Sequence, residues 1–323
     1  MHYCAKTGST ELLAMLLEEG SDPTKTNSRG ETALHIACRH CNLGIVKGII
    51  EFLRSEQFRG KSHGNVMNLA NDEGETAFHL SAELGISQSH IPFEDVDITR
   101  LLFENGANPF LTTYLTKELP LHYCARSGNP DMIEEIAFHF RSSFQLLCNR
   151  QDKMGWSPLM TACNEGHAGA TEILLKNIAR ADVFDEVGKT ALHLAAENGH
   201  AKCCEILLQH KVFVNAKTKI GVTPLHLAAQ NGFANVVEIL VVKYSATVNA
   251  LSVDKKTPLH LAAAAGRTGV CLLLLRLGAD PNAVDAVSES LTGFHSGTTL
   301  NIPFFSSMDK RHCIWLPNVI TPM

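Results

Sequence analysis

Long apolar runs are missing from this chain. The best, at 270–275, is cut off by Arg276, far short of the ~20 residues that a bilayer-spanning helix needs. A basic excess is missing too. Lys and Arg number 28 against 33 Asp and Glu, a formal charge of −5, which gives no electrostatic footing for nucleic acid. The opening, Met1-His2-Tyr3-Cys4-Ala5, has no basic region leading into an apolar stretch, so no secretory leader is expected. No Asn-x-Ser/Thr sequon occurs. Catalytic punctuation is equally absent: there is no Gly-x-Ser-x-Gly elbow, no His-Glu-x-x-His, no Gly-x-x-x-x-Gly-Lys and no Gly-x-Gly-x-x-Gly. The chain is expected to be neither an enzyme nor a cofactor carrier.

What is present is one short phrase, repeated. Gly-x-Thr-Pro/Ala-Leu-His-Leu-Ala-Ala-x-x-Gly is clearest at Thr190-Ala191-Leu192-His193, Thr223-Pro224-Leu225-His226 and Thr257-Pro258-Leu259-His260, at steps of 33 and 34 residues. Earlier copies stand at Thr32-Ala33-Leu34-His35, Thr76-Ala77-Phe78-His79, Leu119-Pro120-Leu121-His122 and Ser157-Pro158-Leu159-Met160. Each residue type answers a backbone need. Gly188 and Gly221 suit a turn with positive φ. Thr190, Thr223 and Thr257 suit a helix N-cap, and Pro224 and Pro258 the first helical position. Paired alanines such as Ala228-Ala229 let neighbouring helices approach, and Gly199, Gly232 and Gly266 close the helix. A second helix follows, as at Cys203-Cys204-Glu205-Ile206-Leu207-Leu208, with one apolar face.

A period near 33 with this core is the hallmark of ankyrin repeats. The expected fold is therefore all-α: an elongated, curved solenoid of helix-turn-helix repeats joined by β-turn or hairpin loops. The expected segments are a partial repeat at 1–29, then repeats at 30–73, 74–116, 117–154, 155–187, 188–220, 221–254 and 255–287. The first two of these carry insertions. Residues 288–323 lose the pattern and are expected to form a disordered, non-repeat tail. His2-Tyr3-Cys4-Ala5 parallels His122-Tyr123-Cys124-Ala125, so the chain is expected to begin partway through a longer array.

Ten cysteines and sixteen histidines call for a structural reading first. Cys4, Cys38, Cys124 and Cys163 fall on the small-residue slots of the first helix, and Cys203, Cys204 and Cys271 on buried slots of the second. His35-x2-Cys38-x2-Cys41 resembles half of a zinc site. Two of its members are already explained by the repeat, and no second Cys/His pair lies at ribbon or finger spacing; no metal is expected. His35, His79, His122, His193, His226 and His260 hold the last motif position, and His167 and His200 follow a loop glycine, so these are scaffold residues. Met160 breaks the series. Reduced thiols and the missing sequons favour the cytosol.

Departures from the period say more than the regular copies. The steps from Thr32 to Thr76, Thr76 to Leu119 and Leu119 to Ser157 are 44, 43 and 38 residues. The excess falls at 52–68, 86–97 and 141–148, and is expected in edge loops. With Gly30-Glu31-Thr32-Ala33-Leu34-His35-Ile36-Ala37-Cys38-Arg39, Ile91-Pro92, the segment at 100–108, Asn149-Arg150-Gln151, Gly155-Trp156-Ser157-Pro158-Leu159 and Ala181-Asp182-Val183-Phe184-Asp185, this order of odd-length repeats resembles the ankyrin arm of N-type transient receptor potential channels, the mechanosensory no-mechanoreceptor-potential-C group. The resemblance covers about 22–286. It implies a force-gated cation channel whose cytoplasmic arm is a spring between microtubules and the pore, lying on the cytoplasmic side of the plasma membrane. It also implies microtubules, or the rest of a channel tetramer, as partners. This chain matches no pore position, so the resemblance supports a piece of a tether rather than a channel.

The alternative is a freestanding cytosolic adaptor that binds a protein through turn tips and a concave groove. Its candidate contact residues are Phe184, Glu186, Lys217, Lys219, Val253 and Lys255, which flank the turns without filling a motif slot. Catalytic, cofactor and metal residues are expected to be none.

Overall fold

The computed structural model describes residues 1–55, 66–83 and 94–286, with backbone only at 94–97. The tail at 288–323 and most of the 86–97 insertion lie outside the described residues.

Each motif begins a short helix. Those helices are His2–Thr7, Ala33–Arg39, Ala77–Glu83, Pro120–Ser127, Pro158–Glu165, Ala191–Glu197, Pro224–Asn231 and Pro258–Ala264. Thr32, Ser157 and Thr257 act as N-caps whose side chains accept the N–H of the third helical residue, which satisfies one of the orphan donors of a helix start. Left-handed glycines end several of them, with φ of 79° at Gly199, 89° at Gly232 and 68° at Gly266. A longer, amphipathic helix then runs back against the first; Ala168–Lys176, Ala201–Gln209 and Thr268–Arg276 are the regular examples.

Successive first helices pack on one another and successive second helices do likewise, giving two layers around one continuous core. Ala195, Ala228, Ala262, Cys38, Cys124 and Cys163 are fully buried there. Small residues at those positions bring the helices close enough to exclude water along the stack. The result is the expected all-α repeat solenoid. Its only β-like pairing among the described residues is two isolated antiparallel bridges, Ala70 with Thr76 and Phe184 with Thr190.

The irregular steps resolve in different ways. The 34-residue step from Thr223 to Thr257 is absorbed inside the second helix: Ala234–Glu238 continues into a π-helical stretch, Ile239–Lys243. Such a bulge accommodates one extra residue without shifting the faces on either side. The excess at 52–68 begins with a longer second helix, Leu43–Arg54, and ends in the 3-10 turn Val66–Asn68; 56–65 lie outside the described residues. The excess at 141–148 departs from the edge loop the sequence suggested. It folds as a further helix, Phe144–Cys148, that buries Phe144, Leu147 and Cys148, because three apolar side chains gain more from the core than from water.

Candidate partner-binding surface

Turn tips project from one edge of the stack, and each is built by its first residue. Asn27, Asn71, Asp152 and Asp185 each accept two backbone N–H bonds at 2.7–3.0 Å, from the residues two and four positions on. Thr218 and Ser252 make the second of these bonds with a hydroxyl, to Val222 and Lys256 at 3.1 Å. These side chains replace a regular strand pair as the turn's internal brace.

Adjacent tips are then joined backbone to backbone. Lys219 donates to the carbonyl of Val187 at 3.0 Å, Val253 to Ile220 at 2.9 Å and Ala286 to Asp254 at 3.0 Å; Asp72–Arg29, Tyr114–Glu73 and Lys153–Thr116 repeat the bond earlier in the chain. Glycine is required at this approach. A Cβ on Gly188 would stand 2.8 Å from the Lys219 nitrogen, and one on Gly221 2.9 Å from that of Val253. Lys255, at φ 55°, takes the same left-handed conformation without being glycine.

Because the backbone is used up in stacking, the side chains point outward. Phe184, Glu186, Lys217, Lys219, Val253 and Lys255 are all exposed, and they lie on three consecutive tips. Sequence reasoning missed their apolar neighbours. Tyr114, Leu115, Met154, Val187 and Ile220 are 49–73% exposed on the same edge. A readable signal existed: Met154, Val187 and Ile220 each follow the turn's opening Asp or Thr by two places and precede its glycine.

Beside the tips, the first half of the stack seals its charges among themselves. Glu31, Glu75 and Glu118, each just before a motif, are buried. Arg39 pairs with Glu31 and reaches Glu75 at 3.7 Å, while Arg126 pairs with Glu118. Tyr123 donates its hydroxyl to Glu75 at 2.9 Å, and the Arg126 guanidinium lies 5.2 Å over the Tyr123 ring. Burial and the Glu75 carboxylate push the Tyr123 phenol far up, keeping it a donor. In the second half, Lys189 pairs with Glu197 at 2.5 Å.

The motif histidines are the screws of the stack. In His35, His79, His122, His193 and His226, Nδ1 accepts the N–H of the residue three before at 3.1–3.2 Å. Nε2 meets a carbonyl of the next repeat, that of Glu75, Glu118, Trp156, Val222 or Lys256, at 3.0–3.2 Å. An N–H donor on one side and a carbonyl on the other fix the neutral ring with its proton on Nε2. Burial holds His79, His122 and His193 down at about 4 and lowers His35 and His226 as well, against the raising effect of the carbonyls. Both nitrogens of His35 are thus committed within the protein. His167 and His200 make a second series, to the carbonyls of Arg126 at 2.8 Å and Asn164 at 2.9 Å. Burial also raises the thiols of Cys38, Cys124 and Cys163, all three lying in this same core, which suits packing rather than nucleophilic chemistry.

Repeated helix pairs, bridged tips and motif histidines that reach the next repeat at five junctions have their counterpart among known proteins. A family model described as "Ankyrin repeats (3 copies)" matches residues 1–113, 121–218 and 212–285. The chain belongs to the ankyrin-repeat family. Among curated relatives, Probable 26S proteasome regulatory subunit p28 of Saccharomyces cerevisiae is 26% identical over 189 residues, 57% of this chain and 73% of its own length. Rabankyrin-5 of Mus musculus is 28% identical over 190 residues, 54% of this chain but 15% of its own length. Ankyrin repeat protein nuc-2 of Neurospora crassa is 31% identical over 201 residues, 58% of this chain and 18% of its own. This chain therefore spans a small part of two of the three. Ankyrin stacks work as protein-interaction scaffolds, their repeats supplying an extended surface. Among the described residues no helix is long and apolar enough to cross a membrane.

Proposed function

We propose that this ankyrin-repeat chain is an adaptor that holds a protein partner against its turn tips, with Phe184, Glu186, Lys217, Lys219, Val253 and Lys255 among the contacts. The observation that carries the reading is an exposed apolar side chain on each of five successive tips, Tyr114, Met154, Val187, Ile220 and Val253. Single exposed apolar residues are ordinary, whereas their recurrence on tip after tip of one edge favours a contact surface. The ridge is also pre-organised, so little entropy is lost on binding. The test is a comparative capture. The chain and a Val187→Ser/Ile220→Ser/Val253→Ser variant are crosslinked in cell extract, with Phe138→Ser/Val242→Ser on other exposed helical positions as control. Partners lost with the tip variant and kept with the control support the reading; partners kept by both contradict it.

A second reading is the mechanical tether implied by the resemblance to N-type transient receptor potential channels, with microtubules or the rest of a channel tetramer at its ends. Its support is the form of the junctions: each repeat is tied to its neighbour by a few parallel bonds, an arrangement that lets small rotations accumulate. None of the three relatives above is named as a channel. Pulling the chain end to end separates the readings. A spring extends reversibly and loses repeats singly or in small groups; one rupture of the whole chain counts against it.

A further inference from the structure

Three successive tips, at 152–155, 185–188 and 218–221, carry an apolar side chain in one and the same place. Met154, Val187 and Ile220 each stand directly before the tip glycine, Gly155, Gly188 or Gly221, and are exposed by 63%, 49% and 59%. The row is bounded by polar residues. Thr116 and Asp254 hold the equivalent place on the tips at either end: their carbonyls accept from Lys153 and Ala286, as that of Val187 accepts from Lys219 and that of Ile220 from Val253. One place earlier on the three tips stand Lys153, Glu186 and Lys219, all exposed, so a row of alternating charge runs beside the apolar one. The stack sets the step of both rows. Helices Pro158–Glu165, Ala191–Glu197 and Pro224–Asn231 pack each on the next, and packed helices lie about 8–10 Å apart. The side chains therefore recur at about that interval along the edge.

An α-helix rises about 1.5 Å per residue, so one of its faces returns every seven residues, after about 10.5 Å. That return matches the step of the tips. A β-strand does not match: three residues cover about 10 Å, but an odd step turns the side chain to the opposite face. Strand addition is also blocked, because the N–H groups of Lys153, Lys219 and Val253 are already bonded to the neighbouring tip. A polyproline helix advances about 9 Å per three residues, yet its usual seat is an aromatic-lined groove, and Met154, Val187 and Ile220 stand on a ridge. We propose that the tips at 152–155, 185–188 and 218–221 bind an amphipathic helix of a partner protein, laid along the edge with apolar residues at a seven-residue step. The inference rests on the adaptor reading and names its occupant. Three apolar side chains of the helix cover Met154, Val187 and Ile220, and the charges beside them run acidic, basic, acidic against Lys153, Glu186 and Lys219.

The probe is a fluorescein-labelled, Ala-rich peptide held helical by lactam bridges, with three leucines at a seven-residue step and Glu, Lys and Glu beside them. It is compared with a peptide of the same composition whose leucines follow a five-residue step, and with a proline-rich peptide bearing Leu at every third residue. Anisotropy gives affinity, and amide shifts in NMR spectra locate the contact. The seven-step peptide is expected to bind best and to shift the amides of all three tips together. Met154→Ser, Val187→Ser and Ile220→Ser, all surface positions, are each expected to weaken it by about ten-fold, and Phe138→Ser, on a second helix, is expected to leave it unchanged. Glu186→Lys is expected to weaken it by about two- to five-fold, with recovery when the peptide lysine is changed to Glu. Failure of the seven-step peptide to bind, equal or tighter binding of either comparison peptide, lack of that recovery, or undiminished binding to the serine variants at an unchanged melting temperature overturns the proposal. The crosslinking in cell extract separates this failure from that of the adaptor reading. Partners still lost with Val187→Ser/Ile220→Ser/Val253→Ser while the seven-step peptide fails refute the helix and keep the adaptor; partners kept by that variant refute both.

Discussion

A neutral histidine holds each of five junctions, and that choice of residue makes the stack sensitive to acid. Protonating Nδ1 of His79, His122 or His193 breaks the bond from the preceding N–H and buries a charge. Their folded values, about 4, lie below the ordinary 6.5. The unfolded chain therefore binds more protons in between. This stability is complete above about pH 6.5 and is lost as pH falls towards about 4, on the order of a few kcal/mol per ring. Urea midpoints at pH 7 and pH 5 should show the loss; equal midpoints would contradict it. The histidines were legible as scaffold because they recur. Their acceptors were not, since each is a carbonyl some 30–40 residues away that only stacking brings near. A different residue carries local strain. Ile178 sits at φ 69°, 68% exposed, where Gly20, Gly106 and Gly278 occupy the equivalent turn after a second helix. A β-branched side chain is costly there, so Ile178→Gly should stabilise by about 0.5–1 kcal/mol, read as a higher thermal midpoint; a lower one would contradict it.

At the level of elements, the junction between 155–187 and 188–220 is built differently from its neighbours. Met160 offers no ring nitrogen, and Ser157 stands in for threonine as cap. Other side chains cross this junction: Asn198 donates to the Asn164 side-chain oxygen and His200 meets the Asn164 carbonyl, each at 2.9 Å. By register, a histidine at 160 would face the carbonyl of Lys189. Met160→His should therefore add about 0.5–1.5 kcal/mol, the net worth of one hydrogen bond, provided that the ring fits the methionine's buried space. Thermal or urea unfolding decides it, and a lower midpoint would show that Met160 is held by packing alone. The motif made the first helices and their caps legible, since each depends on residues within a few positions. The π-helical turn at Ile239–Lys243 and the helix Phe144–Cys148 were not legible. In both, the backbone path is chosen by burial against neighbouring repeats rather than by local propensity. The candidate tip residues were legible as surface, yet Met154, Val187 and Ile220 were passed over although each stands two places after the turn's opening residue.

Among the described residues, helices pack mainly against those of their own and the adjacent repeat, and stability becomes a sum of repeat and junction terms. Repeats 188–220 and 221–254 combine the fullest motifs with histidine bonds on His193 and His226, and they are expected to be the best protected region. The direct measurement is hydrogen exchange on the native chain and on His193→Leu, which leaves the Thr190 N–H and the Val222 carbonyl without the ring. The Val222 carbonyl keeps the Thr218 N–H, so the cost is that of the one orphaned Thr190 N–H, about 1–3 kcal/mol. The account predicts faster exchange in Ala191–Glu197 and Pro224–Asn231, with helices Ala33–Arg39 and Leu43–Arg54 unchanged. A uniform rise from one end of the chain to the other would show a single cooperative body and contradict a stack held together junction by junction.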